Sequence, residues 1–147
     1  MQAVAQARTM TILRRLNAAN KSIVIRFLYD ADLIGNDAGK LKVISLSDAD
    51  LSNIELNDAF LSGADFAKTV LTCADFSYAW LMSSTFASSN LSGANFSKAK
   101  LWNANMYSAD LTNAKLNDAQ ISGAKWEASR VTEEQLKSAN HLDCTPE

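Results

Sequence analysis

Residues 61–100 read LSGAD FAKTV LTCAD FSYAW LMSST FASSN LSGAN FSKAK, broken here every fifth residue because each block opens on Leu or Phe. The same beat extends in both directions. It picks out Leu46, Leu51, Leu56, Leu61, Phe66, Leu71, Phe76, Leu81, Phe86, Leu91, Phe96, Leu101, Met106, Leu111, Leu116, Ile121, Trp126 and Val131, eighteen positions in succession. Two residues before each stands a small side chain in nearly every case, and the residue after is usually Ser, Thr or Asn. A period of five fits neither a helix, at 3.6, nor a strand, at 2. A fixed period sustained this long is the signature of a repeat architecture.

The A(D/N)LXX pattern resembles the pentapeptide repeat family, and the resemblance covers roughly 90 of the 147 residues. It implies an all-β solenoid, a right-handed quadrilateral β-helix in which four pentapeptides make one coil. The large residue (position i) and the small one at i−2 would point inward, and i−1, i+1 and i+2 would face solvent. The residues agree independently, because a narrow interior that takes a Leu or Phe from every side leaves room only for Ala, Ser or Thr at i−2. Wrapped at 20 residues, the chain stacks Leu46, Phe66, Phe86, Met106 and Trp126 on face 1. Face 2 holds Leu51, Leu71, Leu91, Leu111 and Val131; face 3 holds Leu56, Phe76, Phe96 and Leu116; face 4 holds Leu61, Leu81, Leu101 and Ile121. The core ladder Phe66, Phe76, Phe86 and Phe96 thus falls on two opposed faces. Eighteen centres make about 4.5 coils.

Residues 1–43 are expected to form an N-terminal helical cap and connector, 44–133 the solenoid, and 134–147 a short C-terminal helix and tail. Residues 2–17 read as an amphipathic helix with Met10, Ile12, Leu13 and Leu16 on one side and Arg8, Arg14 and Arg15 on the other. A second helix is expected from an Asn20 N-cap to Ile34, ending at Gly35. Its run Ile23-Val24-Ile25-Arg26-Phe27-Leu28 is apolar nearly all round and is expected to be buried, with Arg26 and Asp30 paired across one turn. The pair would close the open end of the first coil, where Ile44 and Ile54 stand in place of the small residue. It also resembles a helical segment that precedes the repeats in some cyanobacterial members of the family. Asn36–Lys42 reads as a polar connector. At the other end, Thr132-Glu133-Glu134-Gln135 is a capping box opening a helix to about Asn140, with Leu136 against the last coil beside Trp126, and a frayed His141–Glu147.

Composition narrows the function. The chain carries 14 Lys and Arg against 16 Asp and Glu, a net charge of −2, which argues against general nucleic-acid binding. Residues 1–43 hold seven Lys or Arg against three Asp, whereas the repeats hold six against nine acidic residues. Two distant cysteines, Cys73 and Cys144, indicate a reducing compartment without a disulfide framework. With neither a signal peptide nor an 18-residue apolar run, the expectation is a cytoplasmic protein that does not enter membranes. His141 is the single histidine, and no histidine neighbours Cys73, so no catalytic, cofactor or metal site and no small-molecule substrate is expected. The i−1 acids Asp50, Asp65, Asp75 and Asp110 do not form a carboxylate row once wrapped: Asp65 lies between Ser45 and Thr85, and Asp75 between Glu55 and Asn95. Gly63, Gly93 and Gly123 occupy i+2, where a type II turn asks for positive φ; Asn53, Asn103 and Asn113 do the same less well.

Face 4 departs from the polar pattern. Phe60 and Trp80 are consecutive in its i−1 column and Met82 and Trp102 in its i+1 column, with Lys100 beyond Trp80 and Tyr78 at the adjoining corner. Large exposed apolar patches mark contacts, unless the N-terminal helices fold over this one. The reading is a non-enzymatic interaction module with an unidentified protein partner or a second copy of itself. Two alternatives stand beside it. A DNA mimic directed at a type II topoisomerase, which the family resemblance allows, would need more carboxylates than repeats interleaved with Lys68, Lys98, Lys100, Lys115 and Lys125. A membrane-surface-associated solenoid would use the basic helix.

Overall fold

The computed structural model describes residues 2–31, 33–34 and 46–139, with side chains from residue 8 onward. Ile44, the connector at 36–42, Asn140 and the tail His141–Glu147 lie outside the described residues. From residue 46 every pentapeptide is one extended residue, one two-residue turn and a short return. Parallel bridges join each residue at i−1 to the residue 20 later, from Asp50 with Val70 to Asp110 with Arg130. One coil is therefore four sides of five residues.

Three backbone bonds tie each side to the next coil, as in Leu51 N–H to the Val70 carbonyl (2.8 Å), Asn53 N–H to Thr72 (2.9 Å) and Val70 N–H back to Ala49 (2.9 Å). Each side also closes on itself, with the N–H at i+3 donating to the carbonyl at i, as Ala74 does to Leu71 (3.1 Å). Such a turn needs a positive φ at i+2. The glycines there have φ near +70°, yet Lys68 (58°), Cys73 (55°), Tyr78 (59°) and Ala128 (57°) take the same conformation. The left-handed region costs a non-glycine residue on the order of 1 kcal/mol, and at Lys68, Cys73 and Tyr78 the inter-coil bond made by that residue's own N–H offsets it.

The interior is filled by apolar side chains. Phe66 stacks on Phe86 (5.3 Å, 12°) and Phe76 on Phe96 (5.1 Å, 4°), while rings from the two opposed faces meet edge to face at 5.5–5.8 Å. All four are fully buried. Thr69, Ser84 and Ser89 occupy the small inward position, and their hydroxyls donate to the carbonyls of Phe66, Leu81 and Phe86, so each of the three is satisfied. Towards the C-terminal end the packing opens: Trp126 and Val131 are only half-buried, although their position in the repeat calls for full burial. The described chain has no further coil beyond them.

Helix α1 spans Gln2–Arg15 and α2 spans Ala18–Asp30. The N-cap of α2 is Asn17, not Asn20: its side chain accepts the Asn20 N–H (2.9 Å), which makes Asn20 a first-turn residue. The helix stops at Ala31 rather than at Ile34. Ile34 is instead buried, and its carbonyl accepts from Asp65 N–H (3.3 Å). Nor is α2 apolar and buried all round. Lys21, Ser22, Ile25 and Leu28 face the coils, while Ile23 and Phe27 are 65% and 64% exposed on the opposite side. Ile12 on α1 is likewise exposed, whereas Leu13 is buried.

The inner side of α2 meets the backbone of residues 50–62. Lys21 Nζ donates to the Asp50 carbonyl (2.7 Å), Arg26 to Asn57 (2.8 Å) and Tyr29 Oη to Ser62 (2.7 Å), and Ser22 Oγ accepts from Glu55 N–H (3.0 Å). These are groups that every later coil pairs with the coil before it. Arg26 thus serves the coil rather than Asp30. At the other end α3, Glu133–Lys137, begins with the Thr132–Gln135 capping box and ends at Ser138. Among the described residues no helix is long and apolar enough to cross a membrane.

Candidate interaction face

The 20-residue coil sorts the outward side chains into columns, one rung every 4.8 Å or so. Phe60, Trp80, Lys100 and Gln120 are linked rung to rung by parallel bridges. Met82 and Trp102 follow one another in the next column, across the buried Leu81 and Leu101. The corner towards face 3 carries Asp58, Tyr78, Lys98 and Asp118. Backbone bonds to both neighbouring coils fix the Trp80 and Lys100 rungs, as in Trp80 N–H to Ala59 (2.9 Å) and Leu81 N–H to Lys100 (2.9 Å).

On this frame Phe60 is 67% exposed and Tyr78 51% exposed. Trp80, Met82, Lys100 and Trp102 are half-buried, a flatter and better-covered surface than four projecting apolar side chains would give. Neighbours along the columns do the covering. The Phe60 and Trp80 rings lie 5.3 Å apart, inclined by 39°. Lys100 Nζ sits 3.2 Å from the centroid of the Trp80 ring, close enough for a cation–π contact. One corner away Lys98 repeats the arrangement, with Nζ 5.3 Å from the Tyr78 centroid and donating to its Oη (3.3 Å).

Lys98 is missing from the sequence-based set, although it stands 20 residues after Tyr78, the relation that links Trp80 to Lys100. Among the described residues neither lysine pairs with a carboxylate; the ion pairs Arg130–Asp110 and Lys137–Glu133 lie elsewhere. Trp102 Nε1 and Gln120 Oε1 are shielded from water with no hydrogen-bond partner among the described residues.

The i−1 acids have a local task. Asp50, Asp65, Asp75 and Asp110 each accept the N–H two residues on, at 2.9–3.1 Å, bracing the corner; Asn90, Asn95 and Asn105 do the same. The Ser52 hydroxyl and N–H hold Asp50 below the usual carboxylate range, and Thr112 does so for Asp110. Among the described residues no three His, Cys, Asp or Glu side chains are gathered where a metal ion would sit. A groove of about 670 Å³ between α3 and residues 112–117 is lined by Lys115, Arg130, Thr132, Glu134 and Ser138 among others.

Compared with known proteins, the chain matches the sequence profile of the pentapeptide repeats, in eight copies over residues 44–86 and 89–125. Among curated proteins no sequence matches. Of the solved structures, it is similar to a pentapeptide repeat protein of the Arabidopsis thaliana thylakoid lumen, at 29% identity and a TM-score of 0.53 over 64% of this chain. It is also similar to HetL of the cyanobacterium Nostoc, a pentapeptide repeat protein involved in regulating heterocyst differentiation, at 32% identity and a TM-score of 0.54 over 65% of this chain. The match spans 66% of the thylakoid protein and 42% of HetL.

Proposed function

This chain belongs to the pentapeptide repeat family, whose members fold as right-handed quadrilateral β-helices, and from that premise we propose that it is a non-enzymatic interaction module. The family is one of structural and interaction modules. The solenoid of about 4.5 coils, closed by α1 and α2 at one end and α3 at the other, holds a rigid outer face for a protein partner. The contact surface is the face 4 corner formed by Phe60, Tyr78, Trp80, Met82, Lys100 and Trp102.

One observation carries the reading. Phe60 stays 67% exposed on Trp80 while the bonds of α2 go to the coil end. Aromatic side chains held in fixed geometry are what interface hot spots are made of. A DNA mimic needs a surface dense in carboxylates. Here Lys68, Lys98, Lys100, Lys115 and Lys125 interrupt the acids, so a protein surface is the better reading.

The test is the double substitution Trp80→Glu with Trp102→Glu, made in the full chain. Circular dichroism should keep its β-rich form. Sedimentation and capture from a lysate of the source organism should show self-association or partner binding reduced at least about tenfold, the loss of a hot spot. Unchanged association and capture would refute the proposal.

A further inference from the structure

The face does more than present rings: it presents rings with unpaired cations on them. We propose that the partner is an acidic segment, a peptide stretch that brings carboxylates to Lys98 and Lys100 and an apolar side chain to Phe60. This rests on the reading of the corner as a contact surface and adds the chemistry of what it contacts.

Lys98 and Lys100 lie on one coil, two residues apart, and straddle the corner between faces 3 and 4. Each ammonium rests on an aromatic ring one rung above it. A cation–π contact neutralises no charge, and an ammonium has three N–H donors. Lys98 gives one of them to Tyr78 Oη. The acids of the same corner do not take up the remainder. Asp118 stands one rung below Lys98 and Asp58 one rung above Tyr78, yet among the described residues neither forms an ion pair with either lysine.

A surface of donors and ring faces is complemented by acceptors and apolar groups. The Trp80 ring lies 5.3 Å from the Phe60 ring and 3.2 Å from the Lys100 ammonium, so one short segment reaches both Phe60 and Lys100. Two lysines on a chain of net charge −2 are too few to follow a phosphate backbone, whose recognition takes a basic stripe. An anionic bilayer asks for a similar excess of basic residues.

The experiment measures binding of labelled peptides of about ten residues to the full chain by fluorescence anisotropy. One peptide alternates Glu with Leu, a second alternates Lys with Leu, and a third alternates Glu with Gly. An oligothymidine and vesicles of phosphatidylglycerol serve as further probes. The Glu/Leu peptide should bind best. Its affinity should fall at least about tenfold with Lys98→Glu plus Lys100→Glu, and several-fold when salt rises from about 0.05 to about 0.5 M. Phe60→Ser should weaken it similarly, and the Glu/Gly peptide should bind poorly.

Equal or tighter binding of the Lys/Leu peptide would overturn the acidic partner, as would charge reversal without effect. Binding of the oligonucleotide or the vesicles that the charge reversal abolishes would overturn it too. So would failure of every probe to bind. In each case the Trp80→Glu, Trp102→Glu capture experiment decides separately whether the corner is a contact surface.

Discussion

The end of the first coil and the face 4 corner are both rich in apolar side chains, and the chain treats them in opposite ways. At the coil end Leu46, Leu51, Ile54, Leu56 and Leu61 are buried, and α2 with Ile34 supplies partners for Asp50, Glu55, Asn57, Ser62 and Asp65 backbone groups. At the corner Phe60 and Tyr78 are left in water. Backbone pairing explains the difference. A first coil has no coil before it, so its edge N–H and carbonyl groups need partners, and an unpaired buried group costs about 1–3 kcal/mol. From Trp80 onward the corner's backbone is already paired on both sides. Covering it would satisfy no further backbone group there, so its aromatics are free to serve something outside the fold.

The largest effect that separates the two regions is removal of the cover. Deleting residues 1–31 should expose the apolar coil end together with an unpaired strand edge, and the truncated chain should aggregate. Analytical ultracentrifugation reads the result, and a monomer that melts like the full chain would remove the covering role from α1 and α2.

Next in size is a pair of substitutions on α2 itself. Ile25→Asp puts a charge into the contact with the coils, where Ile25 is fully buried, and should lower stability by about 3 kcal/mol or more. Phe27→Asp, only two residues away but facing outward, should change it by less than about 0.5 kcal/mol. Urea melts that gave similar losses would mean α2 is turned the other way.

At the opposite end a smaller change probes the lesser cover. The Gln135 side chain donates to the Leu111 and Ala114 carbonyls, both at 2.8 Å, and also completes the capping box. Gln135→Ala should destabilise by about 1–2 kcal/mol. Amide exchange should then quicken around Ala114 and leave the amides beneath α2 unaltered.

How much of this was legible beforehand follows from what each signal encodes. A five-residue period states which side chains turn inward, and residues from Leu46 to Ile121 on that beat are buried. It was silent on α2's orientation, because Ile23, Ile25, Phe27 and Leu28 are equally apolar and only the coil end distinguishes them. Asn17 and Asn20 are equally good caps by type. Wrapping shows that the i−1 acids form no carboxylate row, but it does not show their task, because their hydrogen bonds run along the chain to the residue two on. The aromatic columns and Lys100 were legible from the wrap. Lys98 follows Tyr78 by the same 20 residues and is legible by the same rule.

The smallest expected effect concerns acid. Hydrogen bonds to its carboxylate hold Asp110 below its ordinary value, first from the Thr112 hydroxyl and then from the Thr112 N–H. A depressed folded-state pKa contributes stability that is present above the unfolded value, about 3.9. That contribution is lost as pH falls through the folded value. Asp110→Asn should therefore alter the melting temperature little at pH 7, since Asn95 and Asn105 hold the equivalent N–H as amides. The variant should lose less stability than the parent below about pH 4. Parallel curves down to about pH 2 would contradict this.

The most direct test of the contrast is the solvent access of residue 60 in a dilute monomer. Phe60→Trp, in a background of Trp80→Phe, Trp102→Phe and Trp126→Phe, gives a single reporter on the corner, and its quenching by acrylamide measures how open that position is. The expected result is quenching close to that of a free indole, unchanged when α1 and α2 are removed from any fraction that stays soluble. A reporter shielded in the full chain and released by that deletion would show that the helices cover the corner. It would contradict the division between a covered coil end and an open contact face.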